Sequence, residues 1–96
     1  MDRPDVVRVD VSGAASKADV LERVYRALGA PAFYGPSWDA LYDALAQPNL
    51  APRHLVLDGW TDLARRLPAE AQMLGRVLSD AAAEFPDRAV HVERTG

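Results

Sequence analysis

Three short apolar runs, parted by stretches with helical spacing, constrain this chain more than any other feature. Residues 6–11 (VVRVDV) set Val7, Val9 and Val11 against Arg8 and Asp10, the two-residue period of a strand with one buried face. Residues 54–58 (HLVLD) are more continuously apolar, as in the central strand of a parallel sheet. Residues 89–93 (AVHVE) alternate again and read as a closing strand. Strands separated by helices join through right-handed crossovers, so the pattern favours a small parallel sheet.

The intervening segments supply the helices. Ser16 and Asp19 form an S-x-x-D variant of the capping box ahead of Val20, Leu21, Val24, Ala27 and Leu28, and Gly29 with Pro31 ends that helix. After Tyr34-Gly35-Pro36, Ser37 is the expected N-cap of a second helix running to about Ala46. Pro48 closes it, and the stretch up to Pro52 is expected to wrap the surface. A short helix is expected around residues 62–66. Pro68 then opens a longer one carrying Leu74, Val77, Leu78, Ala81 and Phe85 as core, Met73 beside them, and Pro86-Asp87 stops it. Trp60, after a strand end, reads as core or boundary. The order is βααβααβ: an α/β fold with a small three-stranded parallel sheet packed with about four helices. At 96 residues, 49% of them hydrophobic, the chain fits a single domain over residues 1–96.

Composition removes several function classes. The chain has no cysteine, hence no disulfide scaffold, thiolate metal site or thiol nucleophile. Its charged N-terminus and the absence of any run of about 18 apolar residues predict a cytoplasmic protein without a membrane span. His54 and His91 are the only imidazoles, and neither lies in a catalytic motif. No Gly-rich phosphate loop, HExxH or GxSxG occurs, so neither cofactor nor metal is expected.

Charge is distributed unevenly around a net value of −3. Between Arg26 and Arg53 there is no Lys, Arg or His, while Asp39 and Asp43 lie there with Phe33, Tyr34, Trp38 and Tyr42, four of the chain's seven aromatics. An acidic, base-free surface repels phosphate backbones, which argues against direct nucleic-acid binding and for a positively charged partner. On a helical wheel Trp38, Leu41, Ala44 and Leu45 cluster, and Asp39 and Asp43 fall opposite at i, i+4 spacing, a like-charge pair that costs about 0.2–0.5 kcal/mol. Asp80 and Glu84 repeat that spacing on the last helix. Taken alone, such pairs are more often solvated helix faces than sites. Two functional readings stay open on the residues: a docking surface for a basic partner, or a small acid-base enzyme using Asp39 and Asp43. The second lacks the enclosed pocket that would push the two pKa values apart.

The stretch Phe33-Tyr34-Gly35-Pro36-Ser37-Trp38-Asp39-Ala40-Leu41-Tyr42-Asp43-Ala44-Leu45 resembles the signature helix of the barstar family, intracellular inhibitors of barnase-type ribonucleases. The pattern is aromatic-Tyr-Gly-x-x-x-Asp-Ala-Leu-aromatic-Asp-x-Leu. The strand at residues 54–58 with Trp60, the helix ending Asp80-Ala81-Ala82-Ala83-Glu84 and the final strand follow in matching order. The resemblance implies a three-stranded parallel sheet with four helices. It also implies a non-enzymatic inhibitor, monomeric when free, that forms a 1:1 complex with a basic, secreted, guanyl-type ribonuclease by inserting this helix and the preceding loop into the active-site cleft. Carried over, Asp43 matches the acid that takes the substrate phosphate's place and meets catalytic Arg and His groups. Asp39 matches the acid paired with a further Arg, Asp80 a Glu that assists there, Phe33 a Tyr that packs on the catalytic His, and Gly35 a loop glycine at the contact. The implied contact set is Phe33, Tyr34, Gly35, Ser37, Trp38, Asp39, Tyr42, Asp43, Asp80 and Glu84. Departures are specific: Phe33 lacks the family hydroxyl, Tyr42 replaces a Trp, Pro36 and Ser37 replace Glu and Asn, and Asp80 is shorter than the Glu it matches. The loop at residues 47–52 is longer and lacks the family's interface Trp. Another toxin with an Arg-lined cleft fits the same chemistry.

Overall fold

The computed structural model describes residues 4–31 and 34–96. The chain runs β1 (Val6–Asp10), α1 (Lys17–Leu28), α2 (Trp38–Leu45), β2 (His54–Asp58), α3 (Trp60–Arg66), α4 (Pro68–Glu84), a 3₁₀ turn (Pro86–Arg88) and β3 (His91–Thr95). The strands form one parallel sheet in the order β1-β2-β3. This is the expected βααβααβ arrangement. Both connections cross in the same direction, and right-handed crossovers then place all four helices on one face.

The register makes the two faces distinct. Val7 and Val9, Leu55 and Leu57, and Val92 turn toward the helices and join the core with Leu21, Leu41, Leu63, Leu74 and Leu78. The opposite face carries three rows: Val6, His54 and His91; Arg8, Val56 and Glu93; Asp10, Asp58 and Thr95. There the Arg8 guanidinium donates twice to the Asp58 carboxylate, at 2.9 and 3.2 Å, and the Thr95 hydroxyl donates to it at 2.6 Å. These bonds, the Thr95 one foremost, hold the Asp58 carboxyl below its usual range.

A helix carboxylate ties α3 to the β1–α1 loop. Asp62 of α3 accepts the Gly13 amide at 2.8 Å and pairs with Arg66, which also donates to the Ala14 carbonyl. The amide bond and the Arg66 contact lower its pKa in that order. Gly59, at φ 76°, lets β2 turn into α3 directly against the β1–α1 loop, where an added Cβ would clash with the Ser12 Cβ.

Several local expectations need correction. The Ser16 hydroxyl caps α1 by accepting the Asp19 amide, but the Asp19 carboxylate accepts the Ala15 amide instead of closing the box on Ser16. Helix α3 starts at Trp60, two residues ahead of the expected place, because its start follows Gly59 with no side-chain cap to mark it. Strand β3 is His91–Thr95, since its extent is set by pairing with β2. The loop at residues 47–52 does not stay on the surface. The Gln47 carbonyl accepts the amides of Leu50 and Ala51, and that turn buries Leu50, Ala51 and Pro52. Phe85 is only half-buried.

Candidate functional site

Helix α2 is eight residues long, too short to hold itself together in water, and depends on its buried stripe. Leu41 and Ala44 are fully buried, Leu45 and Trp38 nearly so. Ser37 caps the helix by accepting the Ala40 amide at 3.0 Å. Gly35 holds φ at 77°, a left-handed conformation that favours glycine, with open space where a Cβ would stand. Cap, glycine and stripe together fix the opposite face of α2, and Asp39 and Asp43 are exposed on it.

Packing of α4 against α2 adds the second acidic pair. Tyr42 lies half-buried between the two helices, its ring 6.1 Å from that of Phe85 and tilted by 44°. Desolvation pushes its phenol pKa up first, followed by the charges of Glu84, Asp80 and Asp43. The charges of three carboxylates from two helices therefore act on one phenol. On the other side, Tyr25 of α1 is buried, donates its hydroxyl to the Ser37 carbonyl at 3.3 Å and stacks on Tyr34 at 6.1 Å. Burial raises its pKa, with Asp43 and then Tyr34 adding to the effect. The Asp43 charge thus acts on both Tyr25 and Tyr42, whereas Asp39 stands in the first turn of α2, where the helix dipole favours its charge. The Arg76 guanidinium stands 4.0 Å from Asp80, a loose and exposed pair that constrains it little.

Of the expected contact residues, Ser37, Asp39, Asp43, Asp80 and Glu84 are exposed and Tyr34, Gly35 and Tyr42 half-buried, and two stand apart from these. Trp38 is 8% exposed and belongs to the core, because it begins the buried stripe of α2, so it supports the surface from beneath and is not available on it. Phe33 lies outside the described residues. Sequence reasoning missed Tyr25, although its i+4 spacing from Leu21 puts it on the buried face of α1. It also missed that Phe85 lies under Tyr42, with the Arg88 guanidinium 4.8 Å from its ring centre.

A shallow groove beside α1 is bordered by Leu21, Glu22, Tyr25, Ala30, Gly35 and Pro36, and a second by Arg8, Asp10, Arg23 and Arg26. Neither includes Asp39, Asp43, Asp80 or Glu84. Among the described residues no group of three or more His, Cys, Asp or Glu could hold a metal ion, and no helix is long and apolar enough to cross a membrane.

Fold and site define a class: a small α/β domain whose two helices present an open, acidic, tyrosine-bearing ledge. A family model described as Barstar (barnase inhibitor) matches residues 5–94, nearly the whole chain, and the protein belongs to that family. Its members are inhibitors and not enzymes. Comparison with individual curated proteins finds no match.

Proposed function

We propose that this protein inhibits a barnase-type ribonuclease by seating α2 and the loop before it in the enzyme's active-site cleft, where carboxylates stand in for RNA phosphates. The observation that carries this reading is that the charges of Asp43, Asp80 and Glu84, from two packed helices, all act on Tyr42, in and beside a stretch of chain with no basic residue between Arg26 and Arg53. A cleft built to bind phosphates is lined with Arg, Lys and His, and an open ledge of carboxylates matches it in sign. Asp43 takes the central place, Asp39 and Asp80 meet further cationic groups, and Tyr34 and Tyr42 supply rigid apolar area. The half-buried Tyr42 gives a smaller platform than the Trp of the family pattern, and the ledge therefore selects among related nucleases. The inhibitor acts in the cytoplasm, as one monomer per nuclease.

Titration against a panel of guanyl-type ribonucleases tests this. Activity of the cognate enzyme should fall linearly and approach zero at one equivalent of inhibitor. Full activity across the panel at severalfold excess would contradict the proposal.

A further inference from the structure

On the sheet face that no helix covers, His54 opens β2 and His91 opens β3 as direct partners in the parallel register. Both are exposed, and their ring centres are 5.2 Å apart at an interplanar angle of 71°. They are the chain's only two histidines, and the ledge does not use them. We propose that His54 and His91 form a two-imidazole chelate for a late divalent transition metal such as Ni²⁺ or Zn²⁺.

The geometry supports this quantitatively. With metal–nitrogen bonds of about 2.0–2.1 Å and each ring centre about 1.1 Å behind its nitrogen, two imidazoles on one tetrahedral ion have centres about 5 Å apart. The rings already stand at that separation, and because both are exposed they turn about their side-chain bonds without disturbing the core. Neutral imidazole is a preferred ligand of these ions, whereas Mg²⁺ and Ca²⁺ take oxygen. No third side chain completes the set among the described residues, and water fills the remaining positions. The ion would bridge β2 to β3, an edge strand paired on one side only, and so fasten the end of the chain to the sheet.

Calorimetric titration of the protein with NiCl₂ and with ZnCl₂ at pH 7.5 tests the assignment, alongside His54→Ala and His91→Ala. One saturable site per chain is expected, weakened at least tenfold by either substitution, because one imidazole loses the chelate. Excess metal should raise the thermal unfolding midpoint of the unsubstituted protein and leave both variants unmoved. Both positions are exposed, so metal-free melts should be alike in all three proteins, and ribonuclease inhibition without metal should be unchanged in both variants. No saturable binding at millimolar metal, or a loss below fivefold in either variant, overturns the assignment.

Discussion

Asp43→Ala is expected to weaken nuclease binding more than Asp39→Ala, Asp80→Ala or Glu84→Ala, while the fold holds. Asp43 is the acid whose charge acts both on Tyr42 and on Tyr25, the ring stacked on Tyr34, which marks it as the central acid of the proposed contact. Truncating a charge there strands cationic groups of the partner at a cost of about 2–5 kcal/mol or more, the size known for buried charge pairs at interfaces such as that of barnase with barstar. In the free protein the change removes one of several like charges and installs the best helix former, so stability should stay level or rise slightly. Calorimetric titration and thermal melts of the four variants decide: Asp43→Ala binding within threefold of the parent, or unfolding, would refute the role. At this scale the sequence was legible where spacing alone decides, as in the exposed Asp39 and Asp43 opposite the buried Leu41 and Ala44. For Trp38 the helical wheel already grouped it with the buried Leu41, Ala44 and Leu45, and only the family resemblance carried it into the contact set.

Helix starts and stops that rest on a capping side chain, a left-handed glycine or an imino acid were readable: Ser16, Ser37, Gly29 and Pro68 all mark the boundaries their chemistry implies. Boundaries set by a partner element were not. Alternation gave the phase of β3, with Val90 and Val92 inward, but its length follows from the five residues of β2 it pairs with. Likewise the buried turn at Leu50–Ala51 depends on space beside the core that no local pattern reveals. The element junctions yield a comparison of two glycines. Gly35 and Gly59 both hold φ near 77°, so alanine costs each about 1–2 kcal/mol in backbone strain. Gly35 has free space where a Cβ would stand, but at Gly59 the new Cβ clashes with the Ser12 Cβ and meets the Ser12 nitrogen at 2.8 Å. Crowding of that kind adds about 1–3 kcal/mol. Since about 1 kcal/mol moves the midpoint of a domain this size by about 4–8 °C, Gly59→Ala should melt at least about 5 °C below Gly35→Ala. Equal midpoints would show that the β1–α1 loop yields without cost.

Across the whole molecule the two faces of the sheet separate two kinds of chemistry, since the helix side bears the acidic ledge and the bare side a charge-paired surface with the histidines. Spacing showed each acidic pair but not their union, which exists only because α4 packs along α2 and brings Asp80 and Glu84 to Tyr42. That union has a consequence for association. A net charge of −3 is small, but concentrating carboxylates on one face gives the molecule a directed field. A basic cleft approaching that face is attracted over about one Debye length, about 8 Å at physiological ionic strength and about 30 Å at 0.01 M. Encounter should therefore be steered, and stopped-flow association rates should fall at least about tenfold between 0.01 and 0.5 M salt, a size carried over from the barnase–barstar pair itself. Dissociation should respond less, because the closed interface excludes the screening ions. The substitutions should divide in the same way: Glu84→Gln, nearer the rim, mainly lowers the association rate, and Asp43→Asn mainly raises the dissociation rate. Association rates that stay flat across that salt range would mean that apolar contact through Tyr34 and Tyr42 governs the encounter and that the carboxylates act only after docking.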